Sequence, residues 1–395
     1  MDELHLQDYD YVLPKELIRR QGVEPRDAAR LFVYDTQNDT ITHATVADLP
    51  QFLPENSVMV LNNTTVVPAR LFLKKETGGK IEVFVLANEF DLNALEEGKE
   101  FPVLVDRKCM VGWKLYFPNK DYLEVVRQED NKFFVVLYNE TKNQTQSPMS
   151  LSDLLQEYGE TPIPHYLEDT KPKPRTGLNG TLLGNETETE LRKRYQTIFA
   201  NDGASVAAPT ASLHFTQEVF MNLDAKGTEF AEVTLDVGLG TFAPLKEHNF
   251  ETGALHEERI SISEETADMI NTALHNHRPI IAVGTTALRT LESCAVNVAE
   301  TPSSLATLFR GKNTQSSRSI QAYTGSTDIF IYPPYEFRAV DILMTNFHLP
   351  KTSLMLLVEA FLQHKGAKRS LKELYEVAIK EEYAFYSFGD SMLIL

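Results

Sequence analysis

The 395-residue chain has 42% hydrophobic and 24% charged residues, as globular proteins do, and carries a formal net charge of −18 at pH 7. This acidity argues against a general nucleic-acid binder, because neutralising phosphates normally requires a basic face. Any nucleic-acid partner would therefore need cations that are concentrated locally. The two cysteines, Cys109 and Cys294, lie far apart and form no C-x-x-C pair, which argues against a disulfide scaffold or a zinc ribbon.

The N-terminal stretch MDELHLQDYDYVLPKELI is acidic and lacks the charged-then-apolar layout of a secretory signal. No run of the sequence approaches the roughly 18 apolar residues that a membrane-spanning helix needs. We therefore expect a cytoplasmic protein that has no membrane partner and acts as a monomer.

Residues 69–137 contain short apolar runs, among them RLFLKK, GGKIEVFVL, EFPVLV and KFFVVLY, separated by Gly, Asn, Asp and Pro. This spacing predicts a series of antiparallel strands that forms a small barrel. The flanking sequence has a different pattern. We therefore predict that residues 68–150 form a β-barrel domain inserted into an α/β domain made of residues 1–67 and 151–395.

Downstream, the runs EVTLDV, PIIAVGTT and AVDILMTNF are short and apolar, and helical periodicity follows the last two. Strand, loop and helix in this order predict an α/β layer with largely parallel strands. Residues 167–194 are rich in Pro, Gly, Asn and charge without an apolar period, which predicts a mobile excursion.

Ligands of such sheets collect at the carboxyl ends of the strands. At one of these ends Gly284 permits a turn, and Thr285 or Thr286 can cap the helix that carries Arg289. This arrangement suits a carboxylate, hydroxyl or phosphate, with an ordinary capped turn as the alternative.

At a second strand end, Gly238-x-Gly240 is too short for a dinucleotide fingerprint, and a β-bulge is an equally good interpretation. At a third, His348 precedes a helix start and is predicted to point into a cleft. His256, next to Glu257 and near Glu258, is a further candidate acid or base, or else an exposed loop histidine.

The stretch GASVAAPTASLHFTQEVF, residues 203–220, places small residues before His214 and an amphipathic helix. Phe215, Thr216 and Phe220 predict a hydrophobic staple and an N-cap, and Gly227 predicts the helix end. The preceding loop lets a ligand approach the backbone closely, unless its small residues serve tight packing. Its side-chain hydrogen-bonding groups belong to Ser205, Thr210, Ser212 and His214.

Long motifs in this order, including LNNTTVVPARL, GASVAAPTASLHFT, VGLGTFAPL, VGTTALRTLES, MTNFHLPKTSLMLLVEAF and FYSFGDSMLIL, resemble the S-adenosylmethionine:tRNA ribosyltransferase-isomerases. The resemblance extends from about residue 8 to residue 393. It implies transfer and isomerisation of the ribosyl part of S-adenosylmethionine onto 7-aminomethyl-7-deazaguanine at the tRNA wobble position. The implied products are epoxyqueuosine in tRNA, adenine and methionine, and the implied fold is an α/β domain with an inserted β-barrel.

The resemblance also implies that S-adenosylmethionine is a consumed substrate and that no metal or other cofactor is needed. For proton transfer we select the three histidines and two carboxylates His214, His256, His348, Glu258 and Asp236. For substrate binding we select Ser205, Thr210, Gly238, Gly240, Thr285, Thr286 and Arg289, the last three for the methionine carboxylate and ribose hydroxyls. Arg194, Tyr195 and Gln196 are candidates for contacting tRNA or the deazaguanine, with a helix-start role as the alternative.

The sequence departs from the family pattern at five positions. Thr65 replaces a usual arginine, Asp236 an often-found histidine, and His165 a common proline, while Leu255 and Glu257 alter an MHSE-like element. Asp236 weakens any mechanism that requires a histidine acid there. Two alternatives therefore stay open, an S-adenosylmethionine-dependent RNA methyltransferase and an inactive RNA-binding homologue. The resemblance assigns residues 204–214 to the wall of the nucleoside pocket, with His214 at its rim.

Overall fold

The computed structural model describes residues 6–140, 149–164, 187–242, 245–297 and 318–395, with the side chains of 241, 242 and 297 left out. The predicted excursion at 167–194 and the departure at His165 therefore lie wholly or mostly outside the described residues. The strands are β1 Arg30–Asp35, β2 Thr40–Thr45, β3 Val58–Asn62, β4 Thr64–Val66, β5 Arg70–Lys75, β6 Lys80–Val85, β7 Glu100–Val105, β8 Lys114–Tyr116, β9 Tyr122–Glu129, β10 Lys132–Tyr138, β11 Asp202–Ser205, β12 Glu229–Leu235, β13 Ala254–Ile262, β14 Ile280–Val283, β15 Ala295–Asn297, β16 Arg318–Ile320, β17 Tyr323–Ile329, β18 Ile342–Asn346 and β19 Ser391–Ile394.

The α-helices of the described ranges are α1 Leu49–Phe52, α2 Leu151–Tyr158, α3 Glu188–Arg194, α4 Gln217–Asp224, α5 Glu247–Thr252, α6 Glu264–His275, α7 Gly284–Cys294, α8 Ser353–His364 and α9 Leu371–Lys380. Short 3-10 helices occupy Leu6–Tyr9, Lys15–Leu17, Arg26–Ala28, Val46–Asp48, Ala87–Glu89, Thr210–His214 and Leu239–Phe242. Within the described part of the chain, no helix is both long and apolar enough to cross a membrane.

A nine-stranded sheet in the order β17-β13-β12-β3-β14-β18-β19-β1-β2 forms the centre of the fold. Its four middle strands, β12, β3, β14 and β18, pair in parallel. Strands β3, β14 and β18 are buried along their whole length, as expected for parallel strands covered on both faces. The predicted α/β class is therefore confirmed, and the carboxyl ends of the four strands share one edge.

Strands β5 to β10 form a closed barrel in the order β10-β7-β6-β5-β8-β9, and every pair in it is antiparallel. Alternate residues, such as Leu71 and Leu73 of β5 and Ile81 and Val83 of β6, are fully or almost fully buried inside it. This alternation follows from the two-residue period of a strand. The chain enters these strands after β4 and leaves them before α2.

The helix after the small-residue loop is α4, and its predicted N-cap is observed. The hydroxyl of Thr216 accepts a hydrogen bond from the backbone N–H of Val219 at 3.3 Å. The rings of Phe215 and Phe220 pack with their centroids 5.2 Å apart, which is the predicted hydrophobic staple. Gly227 takes a positive φ of 76° shortly after the helix ends.

Candidate active site

A cavity opens at the shared carboxyl edge of the parallel strands, where sheets of this kind bind ligands. Four parts of the chain line it: the loop at 208–211, Val237 after β12, the start of α7 at 284–286, and the segment 345–349 at the end of β18. Thr352 and Leu354 at the start of α8, and Tyr386 and Ser387 before β19, complete the lining. The three strand ends that the sequence pattern selected therefore meet in one place.

The start of α7 presents its backbone N–H groups to this cavity. Gly284 has a φ of 87°, a conformation that side-chain-bearing residues rarely adopt, and Val283 supplies no side-chain cap. Thr285 and Thr286 lie inside the helix, so the predicted threonine cap is wrong. Thr286 is 9% exposed, and its hydroxyl has no hydrogen-bond partner among the described residues. An uncapped helix start beside an unpaired hydroxyl suits an anionic or hydroxyl-bearing ligand.

One turn further along α7, Arg289 forms a buried ion pair with Glu258 of β13. The guanidinium Nη1 donates to Oε2 of Glu258, and the backbone N–H of Gly238 donates to Oε1 at 3.1 Å. Both charged residues are at most 3% exposed. Two nitrogens of Arg289, Nε and Nη2, have no partner among the described residues. Buried charges are normally fully hydrogen-bonded, so these nitrogens indicate room for a ligand or water.

His256 joins this pair, since its Nε2 lies 3.4 Å from Oε1 of Glu258, and 30% of its side chain is exposed. Its ring packs directly against Gly240, where any Cβ would collide with the imidazole. A Cβ at Gly238 would lie 2.7 Å from Nδ2 of Asn88. The two glycines therefore allow Asn88 and His256 to approach the loop closely, a packing role that the sequence pattern did not distinguish from direct ligand contact.

The ion pair is continuous with the cavity. Val237 lines the cavity and is followed directly by Gly238, which hydrogen-bonds to Glu258. Thr286 lines the cavity and precedes Arg289 by three residues, a spacing that places both on one face of the helix. Glu258 and Arg289 are thus linked to the cavity lining through Gly238 and α7, although none of Glu258, Arg289 and His256 is itself a lining residue.

Asp236 and Ser205 lie in a buried network behind the cavity lining. Oδ1 of Asp236 accepts from the hydroxyl of Thr64 and from the N–H of Ala204, both at 2.8 Å. The hydroxyl of Ser205 lies 2.8 Å from that of Thr64 and accepts from the N–H of Val237 at 2.8 Å. Burial raises the pKa of the Asp236 carboxyl. This network fastens the small-residue loop to the sheet, so neither residue faces the cavity directly.

His348 lines the cavity, as the sequence pattern predicts. Its Nε2 lies 2.9 Å from the hydroxyl of Thr345, and its backbone N–H donates to the Tyr375 hydroxyl at 2.8 Å. Burial lowers the pKa of His348 to about 3. The imidazole is therefore neutral at pH 7 and able to exchange a hydrogen bond with a ligand.

The resemblance predicts His214 at the rim of the nucleoside pocket. His214 does not line this cavity but lies in a neighbouring one with Arg26, Arg194 and Phe388. The two cavities share Ser387 in their linings. His214 is 6% exposed, its Nε2 has no partner among the described residues, and burial lowers its pKa to about 4. Of the loop 204–214, only residues 208–211 line the cavity at the strand ends.

The remaining predicted contacts divide between the cavity and the core. Thr210 lines the cavity, and its hydroxyl donates to Oδ1 of Asn346 at 2.9 Å. Tyr195 is fully buried against Phe388, with ring centroids 5.7 Å apart, so its side chain cannot meet tRNA in this conformation. Oε1 of Gln196 accepts from the backbone N–H of Val66 at 3.0 Å, which is a structural contact. Arg194 stacks over Phe388 at 4.5 Å.

Sequence reasoning missed six polar residues at the site: Asn88, Thr345, Asn346, Thr352, Tyr386 and Ser387. Thr345 and Asn346 end β18, so their position at a strand end was a usable signal. Asn88 comes from the 3-10 helix that follows β6, and its Oδ1 is buried without a partner among the described residues. No local pattern connects it to Gly238, because the contact is long-range.

The described residues contain no group of three or more His, Cys, Asp or Glu side chains that could hold a metal ion. Cys109 and Cys294 are both buried and free.

Comparisons with known proteins agree with the motif resemblance. Residues 6–394 match a family model described as queuosine biosynthesis protein. The S-adenosylmethionine:tRNA ribosyltransferase-isomerase of Thermosipho melanesiensis is 37% identical over 391 residues, which cover 99% of this chain and 100% of that relative. The relative of the same name from Flavobacterium psychrophilum is 38% identical over 403 residues, with 99% and 100% covered.

Among solved structures, the crystal structure of S-adenosylmethionine tRNA ribosyltransferase from Thermotoga maritima is 30% identical to this chain. The superposition has a TM-score of 0.48 and covers 98% of this chain and 100% of the other. The family resemblance seen in the motifs is confirmed by the family match and by the two relatives. The chain belongs to the queuosine biosynthesis protein family, whose members named above are S-adenosylmethionine:tRNA ribosyltransferase-isomerases.

Proposed function

We propose that this chain is an S-adenosylmethionine:tRNA ribosyltransferase-isomerase. It transfers and isomerises the ribosyl part of S-adenosylmethionine onto 7-aminomethyl-7-deazaguanine at the tRNA wobble position. The products are epoxyqueuosine in tRNA, adenine and methionine. The observation that carries the proposal at the site is the uncapped start of α7, which places unpaired donors of Thr286 and Arg289 beside one cavity.

S-adenosylmethionine offers a carboxylate, ribose hydroxyls and a sulfonium, and the cavity has a group suited to each. The N–H groups at the start of α7 and the Thr286 hydroxyl bind the methionine carboxylate, because helix N-termini favour anions. Thr285, Thr210 and Asn346 line the same cavity and bind the ribose hydroxyls. The buried Glu258 carboxylate, which is linked to the lining through Gly238, attracts the sulfonium cation.

The reaction removes a proton beside the sulfonium, expels adenine, joins the aminomethyl nitrogen to the sugar, and closes an epoxide as methionine leaves. The sulfonium already stabilises a neighbouring carbanion, so a moderate base in the right position is enough. We assign this role to His256, because its Nε2 lies within ion-pair distance of Oε1 of Glu258, at 3.4 Å, and has no hydrogen-bond partner among the described residues. His348, neutral and in the cavity lining, hydrogen-bonds the departing adenine.

His214 and Asp236 take supporting roles in this scheme. His214 stands next to the passage shared through Ser387 and contacts the incoming deazaguanine. Asp236 holds the small-residue loop through Thr64 and Ala204, so its replacement of a histidine does not remove a group from the cavity.

We also propose that residues 68–150 form an inserted domain within 1–67 and 151–395. The interior of the barrel supports this division, since its apolar residues form their own core cluster. Leu151, Leu154 and Leu155 of α2 also belong to this cluster, so α2 packs against the barrel directly after the proposed boundary. The enzyme acts in the cytoplasm as a monomer, consumes S-adenosylmethionine as a substrate, and uses no cofactor.

The function is tested by incubating the protein with S-adenosylmethionine and tRNA that bears the aminomethyl precursor. We expect free adenine and methionine, with a matching gain of mass in the anticodon loop. Formation of S-adenosylhomocysteine would favour a methyltransferase instead. RNA binding without adenine above a no-tRNA control would favour an inactive homologue.

Replacing Thr286 with valine is expected to raise the KM for S-adenosylmethionine about 10-fold, because one hydrogen bond to the charged methionine carboxylate is lost. Stability should not fall, because the Thr286 hydroxyl has no partner among the described residues and valine keeps its shape. The change is measured by steady-state adenine release and urea unfolding. Thr290→Val is the matched control on the same helix, since the Thr290 hydroxyl bonds the Thr286 carbonyl at 3.0 Å and faces no ligand. Equal KM values for both variants would contradict the assignment.

A further inference from the structure

Three cavities of the described chain follow one another in space. The first, at the strand ends, shares Ser387 with the second, which contains His214. The second shares Glu24, Arg26 and Arg194 with the third, a wide groove at the surface. The three cavities therefore adjoin one another, in order from the surface to the strand ends.

The 3-10 helix Thr210–His214 separates the first two cavities. Thr210 and Ala211 line the inner cavity, whereas Leu213 and His214 line the middle one. A 3-10 helix rises about 2.0 Å per residue, so its two ends are roughly 8 Å apart. This distance is within the reach of a single nucleotide that leaves its neighbours.

The outer groove is cationic in a protein whose formal net charge is −18. Its lining contains Arg26, Arg192, Lys193 and Arg194 against the carboxylates Glu24 and Glu190. Glu190 already accepts hydrogen bonds from the N–H and hydroxyl of Thr187, at 2.7 and 2.8 Å, which holds it at the start of α3. The excess of positive charge is the local concentration that a phosphate-binding surface requires.

Two cations of the groove, Arg26 and Lys193, form no ion pair with a carboxylate of the described residues. Arg26 donates to the backbone carbonyls of Gln196 at 2.8 Å and Lys193 at 2.9 Å, so its charge is not cancelled by them. Arg192 pairs with the carboxylate of Glu188 at 3.1 Å. The ammonium of Lys193 is exposed and has no hydrogen bond or ion pair with any described residue. The Lys193 ammonium is thus available to bind an external anion.

We propose that this groove binds the phosphate backbone of the tRNA anticodon loop, and that the wobble base passes through the His214 cavity to the cavity at the strand ends. The inference rests on the proposed function, because it takes the inner cavity as the place where S-adenosylmethionine reacts. Enzymes that modify a base must extrude it from its neighbours into a pocket. Arg194 over Phe388 and the unpaired Nε2 of His214 provide stacking and hydrogen-bonding groups along the way.

The test uses an RNA hairpin of the anticodon stem and loop that carries the aminomethyl precursor, titrated by fluorescence anisotropy at several salt concentrations. Lys193→Glu should weaken binding roughly 5- to 10-fold, and Lys193→Ala should reduce the slope of log K against log salt by about 0.7. The KM for S-adenosylmethionine should not change. The matched control is Lys380→Glu, since Lys380 also lies in the last turn of a helix but does not line the groove. Equal effects of the two reversals would overturn the proposal.

A second measurement locates the RNA without any variant. A hairpin with 4-thiouridine next to the wobble base is cross-linked to the intact protein, and the attached peptide is identified. We expect attachment within 21–26 or 192–198, where Ile198 is 49% exposed at the groove. Attachment confined to the barrel strands would contradict the route. Adenine release by the unaltered protein tests the proposed function separately. If the protein is active but the RNA cross-links elsewhere, the proposed RNA-binding groove is wrong and the proposed function still holds.

Discussion

Replacing Glu258 with glutamine is expected to lower kcat for adenine release by about 10²–10⁴-fold, the range lost when an acid–base group or its orienting partner is disabled. Glutamine keeps the shape but loses the charge that holds His256 and Arg289. Its amide nitrogen or oxygen must also face the Arg289 guanidinium, which leaves a buried charge without its counter-ion. Breaking a buried ion pair in this way costs about 3–5 kcal/mol of stability.

Two measurements separate the catalytic effect from the structural one. Urea unfolding gives the loss of stability, and kcat is measured at a temperature where the variant is folded. Glu257→Gln is the matched control, because Glu257 is exposed, lies next to Glu258 on β13 and points to the opposite face of the strand. A folded Glu258→Gln enzyme with kcat within threefold of the unaltered protein would remove Glu258 and His256 from the proposed mechanism.

Acidification from pH 7 to pH 5 is expected to destabilise the protein by about 2 kcal/mol for each of its two deeply buried histidines. Burial lowers the pKa of His214 to about 4 and that of His348 to about 3. Each side chain is neutral in the fold but takes up a proton in the unfolded chain below about pH 6.5. Their contribution is therefore complete above about pH 6.5 and is lost as the pH falls toward the folded-state values.

The comparison is made by urea unfolding at both pH values. His348→Gln should remove about half of the histidine contribution to the pH dependence, because glutamine does not titrate. Replacing His248, whose side chain is 76% exposed, is the control at a surface histidine. Buried carboxyls with raised pKa, Asp236 and Glu292, act in the opposite direction in all variants and cancel from the differences. If the free energy of unfolding of His348→Gln changed with pH as much as that of the unaltered protein, this would contradict a buried, neutral His348.

The expected effects at Glu258 and at His348 have the same physical origin. Near the cavity, the fold holds an ionised pair, Arg289 with Glu258, next to a neutral imidazole, His348, within one buried region. Burial disfavours charge at His348, whereas mutual attraction and the Gly238 N–H stabilise it at Glu258. Pairs of groups that are pushed to different protonation states by their surroundings are typical of acid–base sites.

Local patterns predicted the parts of the fold that depend on neighbours in sequence. The apolar runs of β12, β14 and β18, the alternation in β5 and β6, and the N-cap at Thr216 all follow from periodicity and capping rules. The same reasoning placed ligand-binding groups at three strand ends, and the structure brings those ends together in one cavity. This follows because the carboxyl ends of neighbouring parallel strands lie at the same edge of the sheet.

Local patterns were less reliable where a residue had two possible surroundings. Threonine is a common helix N-cap, yet α7 starts at Gly284, so Thr285 and Thr286 lie inside the helix. Both residues line the cavity, and the Thr286 hydroxyl has no partner among the described residues. Tyr195 follows three basic residues and resembles a surface residue, but the packing of Phe388 against it buries it fully. Exposure of a single side chain is decided by contacts between distant segments, which no local period encodes.

By itself, the sequence determined the family, the α/β class, the strand ends that bear polar groups and the helix that follows the small-residue loop. Only the tertiary structure decided which of those groups act together. Glu258 meets Arg289 across 31 residues, Asp236 meets Thr64 across 172, and Asn88 reaches Gly238 from the barrel. These contacts arise because folding brings distant segments together, and polar groups that are buried there hydrogen-bond to the partners within reach. The separation of His214 from the inner cavity has the same cause, since the helix Thr210–His214 turns its two ends toward different cavities.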